Sequence, residues 1–247
     1  MFYVYQIIVS LLIILSPLII IFRILKKKEN KKRFIEKFSI NTKTRIKGNL
    51  VWFHGASVGE ILSVLPIIKI YENKKSIDQI LVTTSTLSSS NIIKNIKLKK
   101  TVHQFYPIDH FYFTNKFLNY WKPNIAIFIE SEIWPSMFKE IKIKNIPLIL
   151  LNARLTKKTF NNWIKIKKFS KTIFNKITIA YPQNTETTKF LKKLSNVKIK
   201  KLGNLKFSES YESSYSKLNQ NLKFELNKKK IWVASSTHKS EEIFCIK

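Results

Sequence analysis

A chain of 247 residues supports one large domain or two small ones. Its apolar share of 45% and aromatic share of 13% exclude a disordered polymer despite a formal net charge of +30. The single cysteine, Cys245, excludes an intrachain disulfide framework and any multi-cysteine metal site, and fits a reducing compartment.

Residues Met1 to Phe22 carry no charge and consist mainly of Ile, Leu, Val, Phe and Tyr. A bilayer crossing needs about 20 apolar residues, so this stretch predicts a transmembrane anchor over 1–22. A basic segment over 23–40 follows, with Arg23, Lys26, Lys27, Lys28, Lys31, Lys32 and Arg33. The positive-inside rule places the N-terminus outside and everything after Arg23 in the cytoplasm. The charges lie after the apolar run and no small-residue cleavage site appears, which favours an uncleaved signal-anchor over a signal peptide. The same cluster would face acidic inner-membrane phospholipids.

From Asn49 onward apolar runs alternate with amphipathic stretches. Strands are predicted at Leu50–Phe53, Gln79–Thr84, Val102–Tyr106, Asn124–Ile129, Pro147–Asn152, Ile177–Tyr181 and Val197–Leu202. Helices are predicted near Val58–Tyr71, Ser88–Leu98, Phe111–Trp121, Pro135–Lys144, Phe160–Phe174 and Thr185–Leu194. This alternation predicts an α/β domain with a parallel, Rossmann-like sheet over 41–205. After Gly203-Asn204-Leu205-Lys206 comes a polar, serine-rich stretch, then a fresh strand at Ile231–Ser235 and a turn into a helix at Thr237–Glu242. Residues 206–247 therefore read as a linker and the truncated start of a second unit.

The chemistry centres on Trp52-Phe53-His54-Gly55-Ala56-Ser57-Val58-Gly59-Glu60, where a strand, a glycine turn and a helix follow one another. That geometry sets a side chain at the carboxyl edge of a parallel sheet, where α/β proteins bind ligands. Two reactive groups are possible. Gly55-Ala56-Ser57-Val58-Gly59 matches the G-x-S-x-G nucleophile elbow, and a hydrolase would complete Ser57 with Asp109 or Glu130 and with His238. The elbow normally follows several strands, however, and this is the first. The other reading puts the weight on Glu60. A carboxylate in the first turn of a helix is usually a simple cap, but Glu130-Ser131-Glu132-Ile133-Trp134-Pro135 closes another strand at the same edge. Thr83-Thr84-Ser85-Thr86 and Asn152-Ala153-Arg154 end further strands there, suiting a sugar or phosphate or, for Thr86, an N-cap.

Only Arg23, Arg33, Arg45 and Arg154 are arginines among 45 basic residues, so the lysine excess reads chiefly as mutational bias. Affinity for anionic surfaces is its consequence. Specific nucleic-acid readout, which favours arginine, is not expected. Arg154 stands out as an arginine in a lysine-using chain. Lys206 sits where it would place a cation in an interdomain cleft. Ser236-Thr237-His238-Lys239-Ser240-Glu241-Glu242 has the form of a hydroxyl-rich helix start, a phosphate-binding arrangement. No P-loop, G-x-G-x-x-G or H-E-x-x-H motif is present.

Together these motifs, in this order over essentially the whole chain, resemble the bacterial 3-deoxy-D-manno-octulosonic acid (Kdo) transferases of lipopolysaccharide synthesis. The resemblance implies a B-type glycosyltransferase fold of two Rossmann-like domains, with no metal and no cofactor. It implies CMP-Kdo as donor and the lipid A precursor (lipid IVA) as acceptor. It makes Glu60 the proton acceptor of an inverting transfer, with Glu130 and Lys206 as transition-state stabilisers. Its substrate-binding set is His54, Gly55, Ser57, Gly59, Thr84, Ser85, Thr86, Glu132, Arg154, Ser236, Thr237, His238 and Glu241. Family members continue for a further domain's length, which predicts that this chain lacks most of the donor site. The alternatives are a membrane-anchored hydrolase using Ser57 and a non-catalytic cationic membrane-binding module.

Overall fold

The computed structural model describes residues 1–205 apart from Lys97. Among the described residues the apolar runs become seven strands: β1 (Leu50–His54), β2 (Gln79–Thr84), β3 (Thr101–Phe105), β4 (Ile125–Ile129), β5 (Leu148–Ala153), β6 (Ile179–Pro182) and β7 (Lys198–Ile199). All pair in parallel in the order β3-β2-β1-β4-β5-β6-β7. A parallel sheet is covered on both faces, so successive residues of one strand feed two separate cores. Leu50, Trp52 and Phe128 pack with Phe117, Trp121 and Phe138 on one face. Val51, Phe53, Ile127 and Ile129 pack with Ile61, Val64 and Ile68 on the other.

The covering helices are α2 (Val58–Glu72), α3 (Leu87–Asn95), α4 (Phe111–Trp121), α5 (Pro135–Ile143), α6 (Lys157–Lys165), α7 (Lys167–Phe174) and α8 (Thr185–Leu194). Side-chain caps start several of them: Ser57, Thr86, Thr156 and Asn184 each accept from the backbone N–H three residues on. The α/β expectation is borne out, with two local differences. The single helix expected at Phe160–Phe174 breaks at Ile166 (φ −115°, ψ 43°). There the Ser170 hydroxyl donates to the Trp163 and Ile166 carbonyls, and the bend brings the Trp163 ring edge-on to Phe174 at 5.3 Å. The last strand is shorter than expected: only Lys198 and Ile199 pair, with Ile179 and Ala180. A short, lysine-bearing edge is a usual guard against edge-to-edge association.

The apolar N-terminus forms α1 (Phe2–Leu25), long and apolar enough to cross a membrane by length and composition. In this structure it runs along the domain instead of leaving it. Near its start the Tyr5 hydroxyl donates to Asp109 Oδ2 at 2.7 Å and Gln6 Nε2 to Ser136 Oγ at 2.6 Å. Near its end Arg23 pairs with Glu29 at 3.1 Å. A helix of 24 residues is about 36 Å long, so a pass that carried Tyr5 across the hydrocarbon layer would break the first set of contacts. The basic segment also divides. Lys26, Lys27, Lys28, Lys31 and Lys32 are exposed, whereas Arg33 reaches inward to Glu36 at 2.7 and 2.9 Å. Glu36, fully buried in a short 3-10 helix (Phe34–Phe38), in turn accepts from the Phe105 N–H at 2.7 Å.

Candidate active site at the sheet switch point

The strand order turns at β1: the chain builds outward through β2 and β3, then crosses back to place β4 on the other side. Such a switch opens a crevice at the carboxyl ends of the two central strands, the usual ligand site of open α/β sheets. Here β1 and β4 are those strands, and each delivers acids to the crevice: Glu60 in the first turn of α2, Glu130 and Glu132 directly after β4.

The glycine turn sets Glu60 in place. Gly55 closes β1 with its N–H on the Thr83 carbonyl at 3.2 Å. A Cβ at Gly55 would lie 3.2 Å from Glu60 Cβ and 3.3 Å from Ile129 Cδ1, so any added side chain would crowd the start of the helix against the strand. Gly59 is different, because a Cβ there would meet nothing within 4 Å. Ser57 caps α2, and its hydroxyl donates to Glu60 Oε1 at 2.9 Å while the Ala56 N–H donates to Oε2 at 2.7 Å. The carboxylate is thus oriented on both oxygens, a variant of the capping box. Glu60 is 9% exposed, and burial, Glu132 and Glu130 all push its carboxyl above the usual range against the opposing pull of these hydrogen bonds.

Glu132 is fixed by aromatic neighbours. Its Oε2 accepts from the Trp134 indole N–H at 2.9 Å and lies 3.2 Å from His54 Nε2. The His54 ring is fully buried, stacked on Tyr106 at 3.8 Å, with Nδ1 3.0 Å from Thr83 Oγ1. His54 therefore meets the crevice through Glu132. Glu130, directly after β4, and Asn152, next to last in β5, adopt left-handed backbone at φ +55° and +52°. For a glutamate this conformation carries a cost of about 1–2 kcal/mol, and such strain held by surrounding structure is concentrated at functional sites. The Glu130 carbonyl accepts from the Arg154 N–H at 3.3 Å, tying the two strand ends together, and the Arg154 side chain is exposed at this edge. Asn152 Nδ2 is buried with no hydrogen-bond partner among the described residues.

The hydroxyl run after β2 divides by role. Thr84 is fully buried on His103, Thr86 caps α3, and Ser85 is half-buried at the edge. Ser89 links α3 back to the turn through the Ala56 carbonyl at 3.2 Å. Lys206, Ser236, Thr237, His238 and Glu241 lie outside the described residues. The site also holds Tyr106, which the sequence reading passed over, and gives Thr83 and Trp134, named there only within their motifs, contacts of their own. Thr83 sits in register with His54 on the neighbouring strand; a parallel alignment of the two strand ends, where each meets its glycine or serine turn, was the signal available.

For the nucleophile-elbow reading, the expected His238 lies outside the described residues, and Glu130 stands at the same sheet edge as Ser57. The Ser57 hydroxyl is engaged by Glu60 and the helix cap. Asp109 is buried elsewhere, accepting from the Ser136 and Met137 N–H groups at 2.9 and 2.8 Å at the start of α5. His103 faces Arg33 and Thr84, and His110 faces Ser10.

A family profile described as 3-deoxy-D-manno-octulosonic-acid transferase (kdotransferase) matches residues 29–209. The chain is 34% identical to the probable mitochondrial 3-deoxy-D-manno-octulosonic acid transferase of Arabidopsis thaliana, over 97% of this chain and 56% of that protein. It is 35% identical to the 3-deoxy-D-manno-octulosonic acid transferase of Rickettsia bellii, over 91% of this chain and 54% of the relative. For the Haemophilus influenzae enzyme of the same name the figures are 26%, 96% and 57%. The chain spans about half the length of these curated relatives. With the matched region covering the sheet, the glycine turn and both groups of acids, the chain belongs to the Kdo transferase family.

Proposed function

We propose that this chain carries the acceptor-binding half of a transferase that moves Kdo from CMP-Kdo to the lipid A precursor. The observation that carries this reading is the meeting of Glu60 with Glu130 and Glu132 at the switch point, with the Glu60 carboxyl held above its usual range. A general base works best when its pKa approaches the working pH. Glu60 would take the proton from an acceptor hydroxyl as that oxygen bonds to the anomeric carbon of Kdo. The bond from that carbon to the CMP phosphate oxygen breaks in the same displacement, and CMP leaves with the electron pair. One base on the acceptor face and a leaving group on the other invert the anomeric centre. Glu130, stiffened by its left-handed backbone, suits the positive charge that develops on the sugar. Lys206, with Ser236, Thr237 and His238, all outside the described residues, would balance the leaving CMP. The apolar α1 and the exposed lysines that follow it support a place at the cytoplasmic face of the inner membrane, with anionic phospholipids as neighbours.

The test is Glu60→Gln in a chimera that joins residues 1–205 to the remaining half of the Rickettsia bellii relative. Transfer should fall about 10²–10⁴-fold while acceptor binding persists. A variant that transfers Kdo within a few-fold of the parent removes Glu60 from the role of base.

A further inference from the structure

We propose that the slot between α1 and the carboxyl edge of the sheet seats one acyl chain of the acceptor glycolipid. The proposal rests on the reading of the acceptor as a phosphorylated, acylated sugar. Polar pins hold α1 at its two ends. Near the start, besides the Tyr5 and Gln6 contacts, Gln6 Oε1 accepts from the Phe111 N–H at 3.0 Å. Near the end Arg23 and Lys37 both pair with Glu29. Between the pins the helix stands off the domain and leaves a cavity of about 490 Å³, within the range of ligand sites.

The lining decides the chemistry of the occupant. Leu12, Ile13 and Ile20 of α1 and Ile108 of the domain give the cavity an aliphatic wall that suits a hydrocarbon chain, while Tyr5, Ser16, Ser85 and Asp109 add polar groups to the lining. Trp134 and Tyr106 line the same cavity, and Trp134 also donates to Glu132, so the slot abuts the acidic crevice. The Tyr106 hydroxyl is buried and has no hydrogen-bond partner among the described residues. The carbonyl that joins an acyl chain to its sugar would accept that proton. Arg23 and Lys37 line the cavity, and the exposed Lys26, Lys27 and Lys28 follow Arg23 in the chain, giving this end the sign needed by a phosphorylated lipid. The outward face of α1 is bare aliphatic, with Ile7, Leu11, Ile14 and Leu18 all exposed. In contact with a bilayer, that face lets a chain enter the slot without crossing water.

The experiment uses the full chain in phosphatidylglycerol-containing nanodiscs. One probe is the phosphorylated disaccharide lipid with a diazirine at the end of one acyl chain, and a second is the same disaccharide with its chains removed. Photolabelling of the lipid probe should map to Ile13, Ile20 and Ile108. Affinity should weaken about fourfold per methylene removed from the seated chain. Ile108→Trp, and separately Ile13→Trp, should abolish that length dependence while the deacylated disaccharide binds as before. Labels confined to Ile7, Leu11 and Ile14 overturn the slot, as does equal labelling of the slot by a diazirine-tailed phosphatidylglycerol. Equal affinity for acylated and deacylated probes overturns the slot but leaves the acceptor reading standing. Binding of neither probe overturns both.

Discussion

The two glycines of the turn should respond to the same substitution with opposite signs. At Gly55 an added Cβ lies 3.2 Å from Glu60 Cβ, 3.2 Å from Ile61 Cδ1 and 3.3 Å from Ile129 Cδ1. All three neighbours are buried and none is the free end of a flexible chain in solvent, so Gly55→Ala overpacks the junction at a cost of about 1–3 kcal/mol. For a domain of this size each kcal/mol lowers Tm by about 2–4 °C. Gly59, the second residue of α2, meets nothing within 4 Å, and Gly59→Ala recovers up to about 1 kcal/mol of helix propensity. The two variants should therefore separate by about 1–4 kcal/mol in urea unfolding followed by tryptophan fluorescence, with unchanged m-values. On the proposed function, acceptor binding adds a second axis, because the methyl group added at Gly59 would enter open space one residue before Glu60. Gly59→Ala should weaken the acceptor without loss of stability. A Gly55→Ala variant as stable as the parent, or a Gly59→Ala variant that falls with it, refutes the packing argument.

Four further outcomes follow from named contacts. Glu60 binds its proton more tightly in the folded chain than unfolded, so its contribution to stability is lost as pH rises from the ordinary carboxylate range through its raised pKa. Glu60→Gln removes that loss: urea midpoints should rise relative to the parent at pH 7 and converge with it below pH about 4, and a deficit at pH 7 contradicts the raised pKa. Glu132→Gln takes away one of the charges that raise Glu60, so the acid limb of the transfer rate in the chimera should move to lower pH; a shift upward refutes the coupling. Asp109→Ala strips the acceptor from the Ser136 and Met137 N–H groups and from Tyr5, with an expected loss of about 1–3 kcal/mol for each buried donor left unpaired; a neutral effect in urea denaturation refutes the docking of α1. If α1 stays docked in cells, the thiol of Tyr3→Cys reacts with thiol reagents from the same side of the membrane as that of Lys122→Cys, whereas reaction from opposite sides shows a spanning pass.

The sequence alone determined the fold class and the family. Six uncharged runs of four to six residues, separated by helix-length segments, leave little choice but strands buried on both faces. The glycine turn and the two groups of acids are local, so their pattern is readable without coordinates. The position of Glu60 as a carboxylate at a strand-to-helix junction was legible for the same reason. What only the tertiary structure decided depends on contacts between residues far apart in the chain. Strand order cannot be read from strand sequence, yet it is the reversal at β1 that puts Glu60 beside Glu130 and Glu132. His54 looks like an available ligand group until Thr83, Glu132, Trp134 and Tyr106 are seen to enclose it. Most telling is α1. Hydropathy counts apolar residues and is blind to the few polar ones, and Tyr5, Gln6 and Ser10 are the side chains that bond the helix to Asp109, Ser136 and His110, from 100 to 130 residues away. A helix apolar enough to cross a bilayer thus also carries polar side chains with partners on the domain, because the energy of burying a polar side chain depends on the partner it finds, and the partner is supplied by the fold.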